Sequence, residues 1–260
     1  MFGGGFNVGI NVKADKIIYN DTIFQVVDLF KHLQEHTSKE VHEIIMSNIT
    51  KYGLSRSDLH TYDFYNCNSN DGLSSYNNDK YFKLRDDYNS NPTWDKFYTL
   101  LTCSFSNQIR FNSKGGFNMP CGKRDYNLSL QEKLKFFVDT LNNKNIKFTC
   151  GDFSNIYADN LTQNDLVYCD PPYFNSTATY NEQGGWTEKN ELQLRELLIQ
   201  LHNKKTKWAL SNNLTTNINL GQWANDNGFK INYLNGTYGN CNYHKLDKSD
   251  KDIEVLITNY

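Results

Sequence analysis

Proline is scarce in this chain, with four residues in 260. Cysteine occurs six times, at Cys67, Cys103, Cys121, Cys150, Cys169 and Cys241, and no two form a Cys-x-x-Cys pair. Such irregular spacing argues against a zinc site or a disulfide framework, so reduced thiols and no metal are expected. Long apolar runs are missing as well. None reaches membrane-spanning length and no secretory leader is evident, so a soluble, cytoplasmic protein with no membrane partner is expected. Positive charge is not in excess: 27 Lys and Arg face 29 Asp and Glu, for a formal net charge of −2. Any nucleic-acid contact must therefore come from a local basic patch. No internal repeat or long linker stands out. Asn, Ser, Thr and Tyr are abundant, a polar but aromatic-rich composition that argues for a folded chain. The length suits one large domain, or one domain with an insertion, and allows a substantial core.

Two of the prolines stand side by side in Leu166-Val167-Tyr168-Cys169-Asp170-Pro171-Pro172-Tyr173. The apolar half reads as a buried strand. Two prolines cannot continue a ladder, so the strand stops there and the chain turns out over the sheet edge. In open α/β sheets ligands sit beyond the carboxyl ends of the strands, which puts Asp170 and Tyr173 on the rim of a site. The same residues also fit an ordinary Pro-containing turn with Asp as a turn residue.

The rest of the chain alternates strands and helices. The glycine run Gly3-Gly4-Gly5 can turn with positive φ or approach a ligand, and Phe6–Val12 reads as a helix start. Lys16–Tyr19 is a short strand ending at Asn20-Asp21, where Rossmann-like folds place a ribose-binding acid. Taken alone, this region also reads as a glycine-rich tail followed by a helix cap at Asp21. Helical spacing is clear from Thr22 to about His36, from Ser38 to Tyr52, from Tyr81 to Tyr88 and from Trp94 to Thr102. The stretch His60–Asn78 reads as irregular. Between Phe105 and Arg124, Gly115-Gly116 separates two β-like runs, a hairpin signal. Arg110, Lys114, Lys123 and Arg124 concentrate positive charge on it, as a DNA-reading ribbon would, although solvated cations on a surface hairpin fit as well. A helix from Lys133 to Asn142 precedes the strand Lys147–Cys150, which ends at Gly151-Asp152-Phe153. Residues Phe174 to Trp186 form a polar loop that could close over a site. Further strands are expected at Lys207–Asn213, Lys230–Leu234 and Ile253–Thr258. This alternation implies an α/β fold with a mainly parallel, Rossmann-like sheet and helices on both faces.

Phe2-Gly3-Gly4-Gly5, Asn20-Asp21, Gly151-Asp152-Phe153 and Asp170-Pro171-Pro172-Tyr173 occur in the order found in the Dam-type, D12-class DNA adenine-N6 methyltransferases. The chain resembles that family over nearly its whole length, with the bacteriophage Dam enzymes the nearest likeness. The resemblance implies S-adenosyl-L-methionine as methyl donor, double-stranded DNA as substrate, and in some members a cognate restriction endonuclease. It divides the chain into a catalytic domain, 1–53 with 126–260, and a small helical and β-hairpin target-recognition domain, 54–125. By the same resemblance Phe2, Gly4 and Gly5 lie near the donor, Asp21 binds its ribose, and Asp152 with Phe153 holds its adenine. Asp170, Pro171, Pro172 and Tyr173 grip an everted target base. In the ribbon, Arg110 and Arg124 match arginines that read guanines and Phe105 a wedge into the duplex. Ser106, Asn112, Pro120 and Lys123 match further contacts, and the implied site is GATC. Gln108 departs from the apolar residue of similar enzymes. Family members also begin further upstream, with a lysine-bearing motif that contributes to the donor pocket. Weak donor binding by a chain opening at Met1 is expected from that difference, as is the alternative of a relative that binds DNA without turnover. Methylation of RNA or of a protein amide is a third reading, disfavoured because A-form RNA offers no comparable major groove.

Overall fold

A computed structural model of the chain describes residues 1–155, 160–174, 185–234 and 253–260. The chain divides into two compact units, Gly4–Cys150 and Met1–Gly3 with Gly151–Tyr260.

The unit Gly4–Cys150 carries α1 (Asn7–Asn11), β1 (Ile17–Asp21), α2 (Phe24–Glu35), α3 (Ser38–Tyr52), α4 (Ser74–Ser90), α5 (Trp94–Cys103), α6 (Leu128–Asn142) and β2 (Ile146–Cys150). The apolar stripes of α2 and α3 go where their spacing sends them. Val26, Val27, Phe30 and Leu33 of α2 and Val41, Ile45 and Ile49 of α3 are all buried. A capping box starts α3: Thr37 accepts from the Glu40 amide, and the Glu40 carboxylate accepts from the Thr37 amide. Gly53, with φ of 67°, ends the helix. β1 and β2 pair in parallel from Ile17 opposite Ile146 to Asp21 opposite Cys150. Phe6, Tyr19, Phe30 and Phe148 pack as one aromatic group under this pair, with centroids 5.2–6.2 Å apart.

α4 begins earlier than its sequence pattern indicates, inside the stretch expected to be irregular. Its buried face is Asn77, Tyr81, Leu84 and Tyr88, a helical spacing whose first member is polar. Asn77 is fully buried because Ser55 satisfies it: its Oδ1 accepts from the Ser55 amide at 2.9 Å and its Nδ2 donates to Ser55 Oγ at 2.9 Å. Asn77→Ala should lower the unfolding free energy by about 1–3 kcal/mol, because a buried amide loses its acceptor. A lower urea midpoint with unchanged slope is the expected reading.

The second unit carries β3 (Leu166–Cys169), α7 (Glu188–Asn203), β4 (Lys207–Asn213), α8 (Ile218–Asp226), β5 (Lys230–Tyr233) and β6 (Glu254–Thr258). Its sheet runs β3-β4-β6-β5. β3 and β4 are parallel, as expected, with Cys169 opposite Leu210. β6 instead runs antiparallel to both neighbours, with Asn213 opposite Glu254 and Tyr233 opposite Val255. Consecutive strands that pair by direct reversal need no crossover helix, so strand–helix alternation did not reveal this direction. The fold is therefore α/β with parallel segments and an antiparallel strand set between β4 and β5. Trp208, Leu210, Leu198, Leu201, Val255 and Ile257 form the buried centre of this unit. No helix among the described residues is long and apolar enough to cross a membrane.

Candidate active site

The corner Asp170-Pro171-Pro172-Tyr173 follows β3 directly, beyond its carboxyl end. Pro171 is buried and Pro172 and Tyr173 are half-buried, while Asp170 reaches solvent. Three strands meet at this rim. β3 and β4 end here, and antiparallel β6 begins here, so Glu254 arrives beside the ends of its neighbours. The Tyr173 hydroxyl donates to Glu254 Oε2 at 2.9 Å. Ser211 of β4 is a hydrogen-bonding neighbour of both Asp170 and Tyr173. Glu254 was not among the residues singled out from sequence. An acid heading the last strand was the available signal, but only the strand's direction gives it meaning.

The Asp170 carboxyl titrates above the usual aspartate range. Surrounding protein that displaces water is the chief cause, and the negative charge of Glu254 adds to it. A hydrogen bond with Ser211 and the Met1 ammonium pull the other way. Contact with solvent screens part of the effect. The folded chain thus holds this proton more tightly than the unfolded chain does. Stability should fall as pH rises from the ordinary aspartate range through the raised value, and the contribution should be constant above it. Asp170→Asn removes the titration, so the wild-type minus variant difference in urea midpoint should shrink with rising pH across that window and then level off. Beside it, Cys169 is buried and its thiol is pushed up to about 12, which leaves it unreactive.

In the same unit, Phe2, Phe153 and Trp186 form a trio with centroids 5.2–5.4 Å apart. Phe153 is buried within the core, and Phe2 and Trp186 are the half-buried members. In the sequence Trp186 reads only as the end of the polar loop, with no role of its own, because its neighbours are polar. Its indole N–H donates to Glu191 Oε2 at 2.8 Å, and Glu191 is itself buried and bonded to Arg195 and Asn217. Asp152 is exposed. Its Oδ1 accepts from the Ser154 amide at 2.9 Å, and its Oδ2 makes no hydrogen bond among the described residues. Residues 175–184 of the expected closing loop, and Cys241, lie outside the described residues.

In the unit Gly4–Cys150, Asp21 stands at the end of β1. Its Oδ2 accepts from the Gly4 amide at 2.8 Å and its Oδ1 from the Ile23 amide at 2.9 Å. Asp21 does not cap α2, whose N-cap is Ile23 with no side-chain bond; its carboxylate instead closes a local turn at Ile23 and ties down the glycine turn. Gly4 has φ of 46°, which favours glycine and would strain a side chain, whereas a side chain at Gly5 would meet only ordinary contacts.

The ribbon Phe105–Arg124 is a hairpin held by few bonds. Bridges join Ser104 to Cys121 and Phe111 to Phe117, and Asn118 N donates to Arg110 O at 3.0 Å. The Asn112 Oδ1 accepts from the amides of Lys114 and Gly116, which closes the tip. A Cβ at Gly122 would lie 2.4 Å from Ser104 O, so only glycine fits where the two runs meet. Phe105, Ser106, Gln108, Pro120 and Arg124 are exposed, and Phe105 is 47% exposed despite its size. Ser106 and Asn107 both have φ of 53°. Arg110 lies along the ribbon, donating from Nε to Asn118 Oδ1 at 2.8 Å and from Nη2 to Asn118 O at 3.0 Å. Lys123 donates to Asn70 O at 2.5 Å. Among the described residues, no group of three or more His, Cys, Asp or Glu could hold a metal.

A family model described as D12 class N6 adenine-specific DNA methyltransferase matches residues 1–246. The Type II methyltransferase M.FokI of Planomicrobium okeanokoites is 35% identical over 271 aligned residues, covering 100% of this chain and 38% of that protein. Modification methylase StsI of Streptococcus sanguinis is 32% identical over 270 residues, again 100% of this chain and 38% of the relative. A DNA adenine methylase of Serratia marcescens is 28% identical over 109 residues, 40% of this chain. The chain thus spans well under half the length of the first two relatives.

Proposed function

The chain belongs to the D12 class of N6 adenine-specific DNA methyltransferases, and from that premise we propose that it transfers a methyl group from S-adenosyl-L-methionine to N6 of adenine in double-stranded DNA. The observation that carries this reading is the Asp170-Pro171-Pro172-Tyr173 corner at the carboxyl end of β3. The exocyclic amine of adenine is a poor nucleophile because its lone pair is delocalised into the ring. Asp170 accepts one N6–H and the Pro171 carbonyl accepts the other. The nitrogen then becomes more tetrahedral and its lone pair faces the donor, a use of acceptors fixed in advance. Tyr173 stacks on the base, an interaction of about 1–3 kcal/mol. The base must leave the duplex first, since its amine is out of reach inside the stack. S-adenosylmethionine, when bound, supplies a methyl group activated on sulfonium. Phe2, Gly4, Gly5, Asp21, Asp152, Phe153 and Asp170 are the residues assigned to it.

Target reading is assigned to 54–125, with the catalytic domain at 1–53 and 126–260. Arg110 and Arg124 read guanines, with Asn118 holding the first arginine in place. Phe105 wedges into the duplex, and Ser106, Gln108, Asn112, Pro120 and Lys123 contact its flanks. GATC is the site this arrangement implies and the first sequence to assay. A cognate restriction endonuclease is the natural partner for a modification enzyme, in the cytoplasm of a bacterial or phage-infected cell. The test is incubation of the chain with isotope-labelled donor and plasmid DNA, followed by nucleoside mass spectrometry. Labelled N6-methyladenine is expected, and its loss when GATC sites are removed would establish the sequence. Label in cytosine, or DNA retention in a gel shift with no label in adenine, would overturn the assignment.

A further inference from the structure

We propose that Glu254 is a positioning residue of the Asp-Pro-Pro-Tyr corner: its carboxylate fixes the Tyr173 ring through the phenol, so that the ring stands ready for the everted base. The inference rests on the function proposed above. Four observations carry it. The Tyr173 hydroxyl donates to Glu254 Oε2 at 2.9 Å. Glu254 is the first residue of β6, so its backbone is set by pairing with β4, where it lies opposite Asn213. Ser211 and Asn213, two apart on β4, point to one face, and the cross-strand partner of Asn213 points there too. That face is where Ser211 meets Asp170 and Tyr173.

A tyrosine that must stack on a base has two side-chain torsions to fix after its backbone is set, χ1 that aims the ring and χ2 that turns it. Pro171 and Pro172 stiffen the backbone, but they do nothing for the ring. A carboxylate on a separate, sheet-bound strand supplies the missing constraint from the phenol end. A hydrogen bond to a charged acceptor is shorter and stronger than a neutral one. The same charge faces Asp170, whose other polar neighbours are Ser211 on β4, Tyr173 on its own loop and the Met1 ammonium. Glu254 therefore does two things to one corner: it orders the ring, and it holds the Asp170 proton more tightly.

Two variants separate these effects. Glu254→Gln keeps an acceptor for the phenol and removes the charge, whereas Glu254→Ala removes both. Tyr173→Phe removes the donor. Tyr173→Phe and Glu254→Ala should each lower kcat/KM for methyl transfer by about tenfold, and the double variant should be no worse than either alone. Glu254→Gln should keep most of the rate. Its acidic limb in the pH–rate profile should move to lower pH, because Asp170 loses a negative neighbour. A merely structural glutamate would give additive losses and an unmoved limb. Full activity in Glu254→Ala, additive losses, or an unshifted limb in Glu254→Gln would overturn the proposal.

A second readout needs no turnover. With tyrosine labelled by carbon-13 at Cζ, and Tyr173 assigned by its loss in Tyr173→Phe, the Cζ resonance of the free chain is read by NMR at neutral pH. Glu254→Gln, which replaces a charged acceptor with a neutral one, should move the Tyr173 resonance. An unmoved resonance would sink the role of Glu254 even if the wild-type chain methylates DNA. Conversely, a wild-type chain that leaves DNA unlabelled while the resonance moves would fault the proposed function and spare the contact.

Discussion

Asp170→Ala should reduce the single-turnover rate of methyl transfer by about 10²- to 10³-fold, the usual cost of deleting one preorganised acceptor or donor aimed at developing charge. Duplex affinity should change little, because the residues assigned to DNA lie on the ribbon Phe105–Arg124. The expectation follows from position. Asp170 stands just past the last residue of β3, Cys169, which pairs with Leu210. Pro171, buried behind it, leaves the loop little freedom. The neighbouring protein and the Glu254 charge that raise its proton affinity make the ionised carboxylate less comfortable in the fold, so Asp170→Ala should also leave the chain at least as stable near neutral pH. Rapid-quench methylation and urea denaturation of the same preparation measure both. A loss of rate accompanied by a loss of stability would point instead to a structural aspartate.

The second large effect concerns the platform. Trp208→Ala should lower the unfolding free energy by about 3–5 kcal/mol, as for other buried Trp and Phe truncations. Trp208 has no exposure and packs against Phe229 at 4.7 Å and Trp223 at 6.2 Å between ring centroids. It lies on β4, three residues before Ser211, and opposite Val167 of β3. A cavity there loosens the strand pair that carries the corner. The indole N–H has no hydrogen-bond partner among the described residues. Trp208→Phe should therefore cost less, since it keeps a ring and discards a buried, unpaired donor. Thermal and urea denaturation of both variants give the comparison.

How much of this was legible in the sequence depended on whether a signal was local. The stripes of α2 and α3 were readable because Val26, Phe30 and Leu33, or Val41, Ile45 and Ile49, repeat at the helical period and face a core. The strand end at Asp170 was readable because Pro171 and Pro172 cannot pair. The start of α4 was hidden, since Asn77 takes a core position with a partner, Ser55, that lies 22 residues away. The direction of β6 was hidden for the same reason. Alternation within a strand says which residues share a face, but not which neighbour it pairs with or in what sense. Glu254 stayed invisible with it. Trp186 needed the buried Glu191 of α7 to make sense of an indole in a polar stretch.

The ribbon shows the limit differently. Its glycines and cations announced a hairpin, and bridges at Phe111–Phe117 and Ser104–Cys121 form one. Sequence did not indicate that Arg110 would lie against Asn118, bonded twice. Arginine held in this way has its orientation fixed, with the Nε–Nη2 edge of the guanidinium turned to Asn118.

The most direct measurement is a crystal structure of the chain with a duplex containing its target adenine and a non-reactive analogue of the donor. The account predicts an everted adenine with N6 within about 3 Å of both the Asp170 carboxylate and the Pro171 carbonyl, and its ring stacked on Tyr173. An adenine left stacked in the duplex, or one gripped elsewhere with Asp170 facing away, would contradict it.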